Sequence, residues 1–149
     1  MLLTPRAEYA LRALAVLALE PSDAWLPAKD LAERAHVPPA FLSKVMRRFV
    51  LADLARAQKG HGGGFQLARA PQRIRVCDVL AAMDFEMVAD HCAFGWQKCN
   101  EVRPCPLHGM YSLLKADFRQ WAERSTLAVV EASALRRPQR GKPALRKPR

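Results

Sequence analysis

The chain has 149 residues, half of them hydrophobic, which is enough for one globular domain with its own core. It carries 24 Lys and Arg against 14 Asp and Glu, a net charge of +10 that is compatible with a polyanionic partner. No apolar run is long enough to span a bilayer and no secretory pattern is visible, which argues against a membrane protein and predicts a cytoplasmic one.

Three helices are predicted in the first third of the chain. Thr4 and Pro5 provide a capping hydroxyl and a proline at the first helical position, and an apolar stripe at three- and four-residue intervals follows them. A second helix is predicted over residues 28–35 and a third over residues 39–50, joined by a short turn at residues 36–38. Two short helices joined by a tight turn indicate a helix-turn-helix.

The third helix has two chemically different faces. The apolar face is predicted to lie in the core and consists of Phe41, Leu42, Val45, Met46 and Phe49. The opposite face carries one hydroxyl and three cations, and it is predicted to bind DNA through Ser43, Lys44, Arg47 and Arg48. Ser43 and Lys44 are the predicted base contacts. An ordinary solvated helix has a similar composition, so the segment that follows decides between the two interpretations.

A glycine-rich β-hairpin is predicted directly after the helix-turn-helix. Its strands are residues 54–58 and 65–68, and its tip presents Lys59, His61 and Gly62 to the DNA backbone. A hairpin in this position is the wing of a winged-helix domain. A nucleotide-binding phosphate loop is disfavoured, because the segment does not match G-x-x-x-x-G-K-[ST] and no helix begins directly after it.

A cluster of cysteines comes later in the chain. Cys92, Cys99 and Cys105 are followed by His108 with the spacing C-x6-C-x5-C-x2-H, looser than the knuckles of structural zinc sites. Loose spacing favours an iron–sulfur cluster, because its thiolate ligands stand further apart than those around one zinc ion. A structural zinc ion and a reversible disulfide remain as alternatives. An enzyme using Cys105 with His108 is disfavoured, since no oxyanion-hole loop is visible.

The remaining segments complete a mainly α architecture. A fourth helix is predicted from residue 75 or 76, with Cys77 as a small core residue. A long helix over residues 107–131 carries more apolar surface than a winged helix needs, which predicts pairing with a second copy. The final residues, 134–149, hold seven basic side chains, three prolines and no acid, and this tail is predicted to be disordered. It is either a non-specific DNA contact or a solubilising extension.

These motifs, taken in order, resemble the IscR/NsrR-type family of bacterial winged-helix transcription regulators. The resemblance covers about residues 1–133. It is carried by EYALRA at residues 8–13, FLSKVM at residues 41–46, GHGGGFQLA at residues 60–68, the three cysteines, and STLA at residues 125–128. Asp53 and His36 depart from this pattern, because they stand where glycine is usual.

The resemblance implies a winged helix-turn-helix at residues 1–75 and a cluster loop with a dimerisation helix at residues 76–133. It implies a homodimer on a pseudo-palindromic DNA operator, and a [2Fe–2S] or [4Fe–4S] cluster held by Cys92, Cys99 and Cys105. His108 matches a histidine ligand of the cluster-assembly regulators, and Glu8 matches an acidic ligand donated by the other subunit in the nitric-oxide sensors. We favour His108 as the fourth ligand.

Overall fold

The computed structural model describes residues 3–85, 92–95 and 101–130, and in this part of the chain the fold is mainly helical. The order is α1 (Pro5–Ala18), α2 (Ala28–Ala35), α3 (Pro39–Leu51), β1 (Ala55–Gln58), β2 (Gly64–Leu67), α4 (Val76–Ala82) and α5 (His108–Arg124). Two single turns of 3₁₀ helix lie at Pro71–Arg73 and Leu127–Val129. The predicted winged helix-turn-helix is confirmed; the predicted basic tail lies outside the described residues.

Helix α1 forms the centre of the packing. It begins where the sequence predicts, because the Thr4 hydroxyl accepts a hydrogen bond from the Ala7 backbone N–H at 3.3 Å. Its inward face is mostly alanine, so α2, α3 and α4 can all approach it closely. The core beside it buries Leu14, Phe49 and other large side chains completely.

Two turns use the left-handed backbone conformation at residues where glycine is common. His36 ends α2 with φ of 51°, and Asp53 follows α3 with φ of 54°. Aspartate tolerates this conformation better than most residues. The interpretation that the Asp53 turn survives without glycine is therefore confirmed. The His36 N–H donates to the Glu33 carbonyl at 3.1 Å, so this residue closes the last turn of α2.

The wing is anchored to the body by a third extended segment. β1 and β2 pair antiparallel, with Ala55 opposite Leu67 and Gln58 opposite Gly64. Leu26 and Phe65 then exchange two backbone hydrogen bonds, of 2.9 and 2.8 Å, so the second strand is held from both sides. The hairpin is therefore attached to the connection between α1 and α2.

Helix α5 is shorter than the sequence predicts. The apolar pattern predicts a helix up to residue 131, but α5 ends at Arg124 and this prediction is wrong beyond that residue. The chain turns inward there: the Val76 N–H donates to the Ser125 carbonyl at 2.8 Å, and the Leu127 N–H donates to the Ile74 carbonyl at 3.0 Å. Leu127 is buried in the main core. Tertiary hydrogen bonding and burial therefore override the helical pattern.

No described helix combines the length and apolar character needed to cross a membrane.

The start of α4 agrees with its prediction. There the Asp78 carboxylate accepts a hydrogen bond from the Arg75 backbone N–H at 2.9 Å, and it also pairs with the Arg75 guanidinium. Burial acts to raise the pKa of Asp78, but these hydrogen bonds outweigh it and lower that pKa below its ordinary value. These interactions close the first turn of α4 as a capping box.

Candidate nucleic-acid interface and cysteine site

The exposed face of α3 carries three of the seven predicted DNA-binding residues. Leu42, Val45, Met46 and Phe49 are buried, which fixes the rotation of the helix about its axis. Ser43, Lys44 and Arg47 consequently lie exposed on the opposite side. The Ser43 hydroxyl donates to the Pro39 carbonyl at 3.3 Å and can exchange this bond for another acceptor. This face therefore presents one adaptable hydroxyl and two cations.

Arg48 differs from its neighbours on α3. It is only half-exposed, and its guanidinium pairs with the carboxylate of Asp84 and donates to the Ala82 carbonyl at 3.4 Å. The sequence groups Arg48 with the other cations because helical spacing places it beside them. The structure directs its side chain toward the end of α4.

The tip of the wing is exposed at Lys59 and His61 and is shaped by glycines. The Gly63 N–H donates to the Gly60 carbonyl at 3.1 Å, closing the turn, and a Cβ on Gly63 would lie 2.3 Å from the Gln58 carbonyl oxygen. Gly62 has φ of 76° with open space around it. The tip thus offers one cation and accessible backbone.

A cavity beside α3 adds a cation that the sequence analysis did not single out. Arg6, in the first turn of α1, lines this cavity together with Lys44, Arg47 and Arg48 from α3. Arg6 is exposed. Thr4 and Pro5 place residue 6 in the first turn of α1, but only the packing of α1 brings it close to α3. The basic surface therefore extends from α3 to α1.

The described part of the cysteine segment consists of turns and bends. Cys92 and Cys105 are both half-buried, and Cys99 lies outside the described residues. The Gly95 N–H donates to the Cys92 carbonyl at 2.8 Å, and the His108 N–H donates to the Cys105 carbonyl at 2.9 Å. The second bond places Cys105 and His108 in one turn at the start of α5, where the helix dipole favours an anionic ligand.

Within the described residues, no three His, Cys, Asp or Glu side chains lie close enough together to hold a metal ion. Glu8 is half-buried on α1, next to Ala7, which packs against Val76 and Leu80 of α4. The donor types fit an iron–sulfur cluster, because thiolates are its usual ligands and imidazole or carboxylate can complete the set. The assignment of Cys92, Cys99, Cys105, His108 and Glu8 as ligands remains a prediction.

Cys77 differs from Cys92 and Cys105 because it is buried. It packs with Ala7, Leu80 and Ala122 between α1, α4 and α5, as predicted. Burial, reinforced by the neighbouring Asp78 carboxylate, raises the pKa of the Cys77 thiol and keeps it protonated. It is therefore a poor metal ligand and serves as a natural control for the other cysteines.

Helix α5 carries an exposed apolar seam. Only Ala122 of this helix is buried, while Met110 is 77% exposed, Leu114 49% and Trp121 44%. Together with Leu107 and Asp117 these residues repeat at intervals of three and four, the spacing of a coiled-coil seam. We define the seam as Leu107, Met110, Leu114, Asp117 and Trp121. A chain of this size rarely exposes such a row of large apolar side chains unless another surface covers it.

Comparisons with known proteins agree with this architecture. A family model described as "Rrf2: Iron-dependent Transcriptional regulator" matches residues 3–132. An HTH-type transcriptional regulator of Aquifex aeolicus is 30% identical over 129 residues, covering 85% of this chain and 89% of that protein. The HTH-type transcriptional regulator IscR of Xenorhabdus nematophila is 30% identical over 111 residues, covering 74% of this chain and 67% of that protein.

A solved structure shares the fold. CymR (YrzC), described as the global cysteine regulator of B. subtilis, matches with a TM-score of 0.72 and 15% identity. The match covers 85% of this chain and 92% of that chain. These relatives are named as transcriptional regulators, in agreement with the prediction that the chain is not an enzyme.

Proposed function

Since the chain belongs to the Rrf2 family of transcriptional regulators, we propose that it is a homodimeric, sequence-specific DNA-binding protein that senses redox, nitric oxide or iron status through an iron–sulfur cluster. The observation that carries the DNA-binding part is the exposed basic face of α3 beside a glycine-tipped wing. The cluster part rests on the cysteine spacing and on the family description. The protein would act in the cytoplasm, where bacterial DNA lies.

The DNA contacts follow from the geometry of α3 and the wing. We propose that α3 enters the major groove, where Ser43 and Lys44 contact base edges and Arg47 binds phosphate. The wing would lie along the adjacent minor groove, with Lys59 and His61 near phosphates and Gly62 allowing close approach of the backbone. Arg6 extends the phosphate-binding surface on the α1 side. Arg48 would contribute less to phosphate binding than its position in the sequence indicates, because its guanidinium pairs with the Asp84 carboxylate.

The seam on α5 supports the homodimer. Covering Met110, Leu114 and Trp121 with the same seam of a second copy would remove large apolar side chains from water. A two-fold dimer would place two copies of α3 at half-sites about one turn of DNA apart, which is why the operator is expected to be pseudo-palindromic. Asp117 is the one acidic residue in the seam, and a polar residue there restricts the register of pairing.

The cysteine segment would hold the cluster through Cys92, Cys99 and Cys105, with His108 as the preferred fourth ligand. His108 shares a turn with Cys105 at the start of α5, so a change at the cluster would act directly on the proposed dimerisation helix. Glu8 is the alternative fourth ligand and would be donated by the other subunit, as the resemblance to the nitric-oxide sensors implies. When bound, the cluster would supply iron that reacts with oxidants and nitric oxide and that is lost when iron is scarce.

Neutralising Arg47 or Lys59 is expected to weaken binding to all DNA sequences alike. Each phosphate contact releases counterions, and in a homodimer each substitution removes two contacts. Arg47→Gln and Lys59→Gln should therefore each reduce the steepness of log K against log salt by about two. The measurement is a salt titration on random-sequence duplex DNA. Arg119→Gln, on the exposed side of α5 away from the seam, is the matched control and should keep the wild-type slope. Unchanged slopes for both test variants would remove these residues from the interface.

Anaerobically purified wild-type protein is expected to be brown, with visible charge-transfer bands and bound iron and sulfide. Cys99→Ala should lose these bands because it removes one thiolate, whereas Cys77→Ala should keep them because Cys77 is a core residue. Absorption spectra with iron and sulfide assays measure both. A protein that stays colourless after cluster reconstitution would contradict the proposal. A zinc assay would then separate structural zinc from a thiol–disulfide switch at the same cysteines.

A further inference from the structure

The last turn of α3 is tied to the end of α4 by one guanidinium group. Arg48 pairs with the Asp84 carboxylate and donates from the same nitrogen to the Ala82 carbonyl at 3.4 Å. Both acceptors lie at the C-terminal end of α4, where the helix dipole favours a cation. One terminal nitrogen of the Arg48 guanidinium is therefore directed to acceptors of the protein itself.

Asp84 is held in place by backbone hydrogen bonds. It has φ of 52°, the Asp84 N–H donates to the Ala81 carbonyl at 3.0 Å, and the Phe85 N–H donates to the Leu80 carbonyl at 3.0 Å. This left-handed end of a helix is a common way to satisfy its last carbonyl groups. Eight residues further along the chain stands Cys92, the first cysteine of the proposed site. We expect a displacement of the chain between Phe85 and Cys92 to be transmitted to Asp84 through Phe85, which packs beside Phe118 of α5.

The Arg48–Asp84 pair is distinctive among the ion pairs of the described residues. The other three join Arg34 to Glu20, Arg69 to Asp53 and Arg75 to Asp78, and none of them links α3 to α4. Arg47, the next residue on α3, is exposed and makes no ion pair within the described part of the chain. Two adjacent arginines thus have different surroundings and, by inference, different tasks.

We propose that Arg48 is a positioning residue that fixes α3 against α4 and couples the cysteine segment to DNA binding, and that it is not a phosphate contact. This inference rests on the proposed function. The side chains of Arg48 and Asp84 are 37% and 75% exposed, so the pair is weak and can open at little cost. A weak link suits this role, because it lets a change near Cys92 shift the orientation of α3 without unfolding the domain.

The sign of the effect of Asp84→Asn distinguishes positioning from phosphate contact. If Asp84 only competed with phosphate for Arg48, removing its charge would tighten DNA binding. The operator for this test is the sequence that the wild-type protein enriches from random duplex DNA. A positioning role predicts that Asp84→Asn and Arg48→Met each weaken binding to it about three- to fivefold, with a wild-type salt slope. The double variant should lose no more than either single variant, because both remove the same link.

Asp53→Asn is the matched control. Asp53 follows α3 as Asp84 follows α4. Like Asp84, it has a left-handed backbone, with φ of 54°, and is an exposed partner of an arginine. Its substitution removes one negative charge near the DNA-binding surface without touching α4, and it should not weaken binding. Urea unfolding of all variants should give nearly the wild-type midpoint, so a loss of affinity cannot be attributed to unfolding. Tighter binding by Asp84→Asn, additive losses, or a salt slope reduced by about two in Arg48→Met would overturn the inference.

A second readout tests the coupling to the cysteine segment. Chelator treatment removes the proposed cluster, and the ratio of operator affinities before and after treatment measures the coupling. We expect this ratio to move closer to one in Arg48→Met and Asp84→Asn, and to stay at the wild-type value in Asp53→Asn. A wild-type ratio in both test variants would contradict the coupling. Wild type and Arg47→Gln are measured in the same series. Wild type without specific binding would refute the proposed function as well, whereas specific binding by wild type, together with the lowered salt slope of Arg47→Gln, would confine a failure to Arg48 and Asp84.

Discussion

Replacing Met110 by glutamate is expected to convert the proposed dimer into monomers and to weaken specific DNA binding about 100-fold. Met110 is 77% exposed in the single chain, so the glutamate would not disturb the monomer. In a symmetric dimer the substitution occurs twice, and each carboxylate would have to leave water to enter an apolar interface. Analytical ultracentrifugation and DNA titration of the same sample measure both effects.

Ala116→Glu provides the control for this prediction. Ala116 is also exposed on α5 but lies away from the seam. The substitution therefore adds the same charge to the same helix outside the proposed interface. It should leave both the mass and the affinity close to wild type. A Met110→Glu variant that sediments as a dimer and binds DNA normally would show that the seam is not the dimer interface.

A methyl group on Gly64 is expected to lower the free energy of unfolding by about 2–4 kcal/mol and to detach the wing from the body. Gly64 has φ of 151°, and an added Cβ would lie 2.2 Å from the Leu26 carbonyl oxygen. That carbonyl accepts the hydrogen bond from the Phe65 N–H at 2.8 Å, so relief of the clash would break the bridge that anchors β2. Urea denaturation of Gly64→Ala, with amide exchange at Phe65, measures the loss.

Gly62→Ala separates the clash from backbone strain. Gly62 also has positive φ, at 76°, but nothing lies within 4 Å of an added Cβ. This variant should therefore lose only about 1 kcal/mol, the cost of a left-handed backbone for alanine. Equal stabilities for the two alanine variants would mean that close contact with Leu26 does not restrict residue 64.

The helices of the DNA-binding part could be predicted because their signals are local. Thr4 and Pro5 mark the start of α1, and proline marks the start of α3 at Pro39. The alternation of buried and exposed residues on α3 then fixes its outward face, including Lys44 and Arg47. These features depend on residues a few positions apart, which a sequence displays directly.

Features that depend on distant residues could not be predicted in the same way. The contact between Arg48 and Asp84 spans 36 positions, and the bridge between Leu26 and Phe65 depends on how two loops meet. The end of α5 was mispredicted for the same reason, since Ser125 and Leu127 bond to the segment before α4. Helical periodicity continues past Arg124, but the tertiary hydrogen bonds and the burial of Leu127 determine the outcome.

The seam on α5 could be predicted from the sequence only in part. The apolar content of this helix was evident from the sequence, but its apolar residues lie on two faces: Phe118 packs inward, whereas Met110, Leu114 and Trp121 lie exposed. Knowledge of the burial of Ala122 was required to separate them. The same applies to Arg6, whose closeness to α3 follows from the packing of α1 and not from its neighbours in the sequence.

Selection from a pool of random duplex DNA by the anaerobically purified full chain, followed by sequencing, tests most directly whether this protein is a dimeric, sequence-specific regulator. We expect enrichment of one pseudo-palindrome whose half-sites lie about one helical turn apart, bound by two copies of the chain. Enrichment should disappear in Met110→Glu and persist in Ala116→Glu. A pool that shows no preferred sequence after repeated rounds, or only a single half-site without symmetry, would contradict the proposed function.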